Sequence, residues 1–115
     1  MNYFYIKEFD CKCCGQNKMN QDFLEKLDDA RRIAQVPFVI NSGYRCPAHN
    51  AAVGSTSGNH TMGRAADIGV TSGNHRLKVL QGLFKVGFKR IGIAKTFIHV
   101  DNMDEISAPE SCWFY

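Results

Sequence analysis

The sequence has no long apolar run, no cluster of like charge, no internal repeat and no low-complexity tract. Each absence narrows the field. A helix that spans a bilayer needs roughly 20 consecutive apolar residues, and none are present, so no membrane insertion is expected. The start, Met1-Asn2-Tyr3-Phe4-Tyr5-Ile6-Lys7-Glu8, lacks the basic region and the unbroken apolar region of a secretory signal. The chain is therefore expected in the cytoplasm as synthesised. Its 14 lysines and arginines stand singly or in pairs against 11 acidic residues. Nucleic-acid surfaces normally leave a clustered basic footprint, so nucleic acid is not an expected partner. The net charge of +3 leaves room for weak attraction to an anionic polymer.

A full disulfide framework is also missing. There are five cysteines, an odd number, and no export signal. Cys11, Cys13 and Cys14 are bunched before Gly15. A small zinc knot would need a fourth ligand from Cys46 or Cys112. Structural zinc sites usually draw on CxxC-like pairs, and Cys-Lys-Cys-Cys is not one. Reduced, partly buried thiols in a tight turn are the preferred reading.

What is present is the material of one small domain, residues 1–115, of which 44% are hydrophobic and 22% charged. Residues 1–19 read as an extended Cys-containing segment, with loose alternation from Phe4 to Phe9. Asn20 can cap a helix, followed by Phe23, Leu27, Ala30 and Ala34 at helical spacing. Pro37 requires that helix to have ended. Phe38 to Ser42 reads as a buried strand, and Pro47 can open a short helix through Val53. Gly54 to Asn59 is a loop and Ala65 to Val70 a second strand. Ser72 can cap a helix carrying Leu77, Leu80, Leu83 and Phe84, weakened by Gly82 and stopped near Gly87. Two nearly contiguous strands follow, Arg90 to Ala94 and Phe97 to Asp101. The apolar tail Cys112-Trp113-Phe114-Tyr115 is suited to dock on the body. Short strands, the last two nearly touching, favour an α+β domain with helices packed on a small antiparallel sheet. A monomer is the expected state.

The chemistry-bearing residues fall in two stretches. His60 and Asp67 are seven apart, too far for one helical turn. That spacing suits a loop residue and a strand residue either side of a bend at Gly63. In Phe97-Ile98-His99-Val100-Asp101, strand alternation puts His99 and Asp101 on one face, with Ile98 and Val100 on the other. Two imidazoles and a carboxylate can hold zinc and leave a fourth position open. On spacing alone, a half-buried structural histidine and a strand-end carboxylate are the preferred reading of His99 and Asp101. Arg45, directly after the first strand, is placed to clamp a carboxylate or to serve as a surface charge.

In combination these stretches resemble the zinc D-alanyl-D-alanine carboxypeptidase family. That family includes phage endolysins and bacterial murein endopeptidases and shares its core with the hedgehog signalling domain. The resemblance rests on Ser42-Gly43-Tyr44-Arg45, Asn50, the His-x-x-Gly-x-Ala-x-Asp motif from His60 to Asp67, Gly92-Ile93, Phe97 to Asp101, and Trp113. Phe9-Asp10-Cys11-Lys12-Cys13-Cys14-Gly15 also resembles the opening of short members.

The resemblance implies a hedgehog/DD-peptidase-like fold, with His60, Asp67 and His99 as Zn2+ ligands and Arg45 as binder of a substrate carboxylate. It implies hydrolysis of a bond in peptidoglycan stem peptides or cross-links, and action on the cell wall if the protein is released as an endolysin. A separate wall-binding domain is not expected within these 115 residues. Two positions depart from the family pattern. Thr96 stands three residues before the last zinc histidine, where many members carry the general base. Gly58 stands two residues before His60, where a serine is common, and Ser57 is one step earlier. Asp101 is left as the candidate catalytic base or as partner to a ligand, with His49 and His75 as further candidates. Two alternatives remain. One is a zinc-containing module that binds peptide or cell-wall ligands without turnover. The other is a structural protein of a phage particle with no zinc at these residues.

Overall fold

The computed structural model describes residues 1–55 and 57–115. The loop expected over Gly54 to Asn59 is thus described apart from Thr56, which lies outside those residues. Helix α1 (Gln21–Ala34) begins where the Asn20 side chain accepts a hydrogen bond from Phe23 N at 2.9 Å. It ends at Gln35, which turns left-handed at φ 57° two residues before Pro37. Helix α2 (Pro47–Ala52) starts on Pro47, whose missing N–H costs nothing there. Helix α3 (Gly73–Lys85) is capped by Ser72, which accepts from His75 N at 3.1 Å.

The strands are β1 (Val39–Ser42), β2 (Ala65–Gly69), β3 (Arg90–Ile93), β4 (Phe97–Asp101) and β5 (Ser111–Phe114). They form one sheet in the order β1-β2-β4-β3-β5, antiparallel except for the β3–β5 pair. Ala66, Ile68, Ile91, Ile98 and Val100 point from one face of the sheet into a core shared with Phe23, Leu24 and Leu27 of α1 and Val79 and Leu83 of α3. The architecture is the expected α+β one: a small, mostly antiparallel sheet with α1 and α3 packed on one face. The opposite face is left for other work. No helix among the described residues is long and apolar enough to cross a membrane.

Several local expectations change. The tail does more than dock: it adds β5 in parallel to β3, pairing Gly92 with Trp113. β1 is an edge strand rather than a buried one, and Val39 is 55% exposed. Phe4 to Phe9 is not extended throughout, because Ile6–Phe9 winds into a 3-10 turn with Tyr5 N donating to Glu8 Oε2 at 2.7 Å. Asp28 of α1 is buried and accepts from the backbone of Asn2 and Tyr3 at 3.1 and 2.9 Å, which pins the start of the chain.

On α3 the inward face carries Val79, Gly82 and Leu83, and Leu77 and Phe84 are left about half exposed. Gly82 explains that rotation. A Cβ built there would stand 2.4 Å from Ala30 O and 2.9 Å from Ala34 Cβ, so the glycine is where α1 and α3 cross. Replacing a helical glycine by alanine ordinarily gains about 1 kcal/mol. Here Gly82→Ala is expected to lose roughly 1–3 kcal/mol through overpacking, read as a lower midpoint in urea unfolding. A stabilised variant would show that the helices do not approach this closely.

Candidate metal centre

The site is assembled on the uncovered face of the sheet by strand register. β2 and β4 run antiparallel with Asp67 directly opposite His99 and Ala65 opposite Asp101. Both Asp67 and His99 project away from the core, as the alternation of β4 requires. His60 comes from the loop before β2, which bends at Gly63 (φ 71°). That glycine has no room for a side chain, since a Cβ would meet Lys18 O at 2.0 Å. Asn20 N donates to Gly63 O at 2.8 Å and anchors the bend to the start of α1.

Three donor atoms converge. His60 Nε2 lies 3.4 Å from Asp67 Oδ1, and His99 Nδ1 lies 3.0 Å from the same oxygen. The three residues can each offer one ligand atom, all within 4.8 Å of one another. Ligands about 2.0–2.1 Å from a tetrahedral zinc stand roughly 3.4 Å apart, so the spacing fits such an ion. The far side of each imidazole is also engaged. His60 Nδ1 is 2.8 Å from Gly43 O. A proton on Nδ1 is the tautomer that makes this bond and leaves the Nε2 lone pair facing Asp67. His99 Nε2 is 2.7 Å from Asp101 Oδ2, which similarly frees Nδ1. Two imidazoles and one carboxylate match the donor type of catalytic zinc sites.

Arg45 and Asp101 flank this group differently. Arg45 stands on the wall of a cavity of about 390 Å³ that opens over His60, Asp67 and His99. Its Nη2 is 3.2 Å from Asp67 Oδ2, its Nε donates to Ser42 Oγ at 3.0 Å, and its Nη1 reaches Asn50 Oδ1 at 3.5 Å. Asp101 is fully buried behind His99 and does not line the cavity. Its oxygens accept from His99, from Arg90 Nε at 2.7 Å, from Met103 N at 3.0 Å and from Asn59 Nδ2 at 3.2 Å. Of the two roles left to Asp101, this geometry suits the partner of a ligand and not a base that meets water. Neither His49 nor His75 lines the cavity, and His75 instead reaches Pro37 O at 2.8 Å. Thr96 is exposed between β3 and β4.

Aromatic side chains complete the cavity. Trp113 packs against the His99 ring at 5.6 Å between centroids, and Tyr115 against Phe97 at 5.2 Å. The indole can lie there because Gly92 has no side chain: a Cβ would come within 2.6 Å of Trp113 Nε1. Arg90 was absent from the candidates drawn from the sequence. A signal existed, since a tight hairpin from Ala94 to Phe97 places Arg90 opposite Asp101, as observed. Asn59 and the Gly43 carbonyl had no such signal, because loop packing alone brings them in.

The model of the family described as Peptidase M15 matches residues 2–101. The chain belongs to that family, whose members are zinc metallopeptidases. β5 with Trp113 lies beyond the matched span. No curated protein matches the chain.

The electrostatics of the cluster follow from its contacts. Burial would raise the Asp67 carboxyl, but hydrogen bonds and charge from His60 and His99 outweigh it and hold it well below the usual carboxylate range. Burial likewise opposes ionisation of Asp101 and is outweighed by His99, the Met103 N–H and Arg90. For His99, burial disfavours the imidazolium, yet hydrogen bonds to Asp101 and Asp67 raise it above the ordinary value of 6.5.

A raised histidine stabilises the fold fully below its unfolded value, and that contribution is lost as pH rises through the folded value. The lowered carboxylates contribute above their ordinary 3.8 and do not change in this window. After chelation, the wild type is therefore expected to lose melting temperature as pH rises above 6.5, and Asp101→Asn to lose less over the same range. Parallel pH profiles for the two proteins would contradict the assigned network.

Proposed function

We propose that the protein is a zinc-dependent peptidase that hydrolyses a stem-peptide or cross-link bond of peptidoglycan. The observation that carries this reading is the donor triangle of His60, Asp67 and His99 at the base of an open cavity with Arg45 on its wall. Membership of the M15 family supports the reaction class. Zinc, when bound, supplies Lewis-acid polarisation of a carbonyl and an acidified water.

The chain's own residues do the rest. His60 and His99 present lone pairs because Gly43 O and Asp101 hold the opposite ring nitrogens. Asp101 is a positioning residue that fixes the ring and tautomer of His99. Arg45 uses three of its five N–H groups inside the protein. The remaining edge binds a carboxylate or carbonyl of the stem peptide. Trp113 and Tyr115 form an apolar wall that holds the peptide over the site and limits access of water.

A second reading, a zinc-containing binding module without turnover, is favoured by one observation. Among the described residues lining the cavity, Asp67 is the only carboxylate, and Thr96 occupies the position of the usual base. Incubation with soluble peptidoglycan fragments separates the readings. The peptidase releases new amino groups, stops on chelation and recovers with added zinc. Zinc-dependent retention of fragments with no amine release would leave the binding module.

Two substitutions sharpen the assignment. Arg45→Ala is expected to lower kcat/KM by roughly ten- to a hundredfold, the worth of one charge-assisted contact of about 1.5–3 kcal/mol, with zinc content unchanged. Asp101→Asn is expected to weaken zinc binding by about 10- to 100-fold, as loss of a ligand's hydrogen-bond partner does, measured by competition with a chromogenic chelator. Unchanged zinc affinity with abolished turnover would make Asp101 a catalytic group instead.

A further inference from the structure

The three bunched cysteines of the N-terminal segment are joined in space by Cys46, and not by Cys112. Cys13 Sγ lies 3.7 Å from Cys11 Sγ and 3.3 Å from Cys46 Sγ. The sulfurs of Cys11, Cys13, Cys14 and Cys46 all stand within 4.8 Å of one another, and none is in a disulfide. Sulfurs bound to a tetrahedral zinc at about 2.3 Å stand roughly 3.8 Å apart, and the spacings of 3.7 and 3.3 Å lie within half an ångström of that value. We infer that Cys11, Cys13, Cys14 and Cys46 form a second metal site, a four-thiolate structural zinc centre separate from the His60–Asp67–His99 group.

The surrounding backbone is shaped for it. The Cys-Lys-Cys-Cys-Gly turn closes on itself, with Gly15 N donating to Cys11 O at 2.9 Å and Cys11 N to Gln16 O at 2.7 Å. Gly15 takes the left-handed conformation at φ 73° that this closure needs. Backbone N–H groups point at two of the sulfurs: Cys46 N at Cys11 Sγ and His49 N at Cys46 Sγ, each at 3.4 Å. Donors of this kind favour thiolate, the ligating form. Cys11 and Cys46 are buried while Cys13 and Cys14 are exposed, so an ion has both a fixed half and an entry side.

The site would tie the N-terminal segment to the corner between β1 and α2. That corner carries Gly43, whose carbonyl holds His60, and Arg45 beside Asp67. It is already pressed on the N-terminal segment, with Tyr44 N donating to Phe9 O at 2.8 Å. A metal there explains how a turn of mostly exposed residues is held in register with the cavity 30 residues downstream. The inference does not depend on the peptidase reading, because it concerns different ligands.

Metal analysis of the whole protein, purified under reducing conditions with zinc present, tests it. Two zinc ions per chain are expected in the wild type. His60→Ala with His99→Ala should keep the thiolate one, and Cys13→Ser with Cys14→Ser should keep the other and melt at lower temperature. Cys112→Ser should keep both. Cobalt exchanged into the wild type should give intense visible bands with a near-ultraviolet thiolate charge-transfer band, a readout that requires no variant to fold. Zinc content unaffected by the Cys13/Cys14 change, or cobalt spectra without the thiolate band, would overturn the inference. So would a Cys13–Cys46 disulfide in the reduced, zinc-treated protein.

Discussion

The pairing of β2 with β4 in one register is the constraint on which the rest depends. It places Asp67 across from His99 on one face and packs Ala66, Ile68, Ile98 and Val100 on the other. Because side chains alternate, a slip of one residue would bury the polar set and expose the apolar one. The same hydrophobic burial that selects the register of the core therefore also assembles the site. No separate device is needed to bring residues more than 30 positions apart in sequence within 3.0 Å.

Around that pair the polar groups form a line: Arg45, Asp67, His99, Asp101 and Arg90, each in hydrogen-bond contact with the next. Both carboxylates have an arginine on the outer side and share the imidazole between them. The line keeps Asp67 and Asp101 ionised despite burial, and unpaired charges at such depth would be costly. In the proposed reading the two ends have different work. Arg45 faces the cavity and the substrate, while Arg90 and Asp101 lie behind His99 and set its orientation. Trp113, seated on Gly92 and stacked near Arg90 at 5.2 Å, closes the line against solvent.

Much of this was legible in the sequence where the signal is local. Asn20 and Ser72 cap the helices they were expected to cap, and the alternation in Phe97 to Asp101 assigned the faces of β4 correctly. Motif order pointed to His60, Asp67 and His99, which the fold brings together. What was not legible is set by contacts distant in sequence. The sequence left Cys46 and Cys112 equally open as the thiol that meets Cys11 and Cys13, since that contact depends on how Phe9 packs on Gly43. The parallel addition of β5 needs a return through a 3-10 turn at Met103–Glu105 that carries no strand signal of its own. Leu77 and Phe84 read as core by helical spacing, yet the closeness of α1 at Gly82 turns α3 so that they face outward.

The central claim is that His60, Asp67 and His99 hold a zinc ion. Anomalous diffraction at the zinc absorption edge, from crystals grown with zinc, addresses it most directly. The account predicts an anomalous peak bounded by His60 Nε2, Asp67 Oδ1 and His99 Nδ1. Crystals that show zinc elsewhere and none among these three atoms, with the imidazole–carboxylate contacts of 3.0 and 3.4 Å intact, would contradict it.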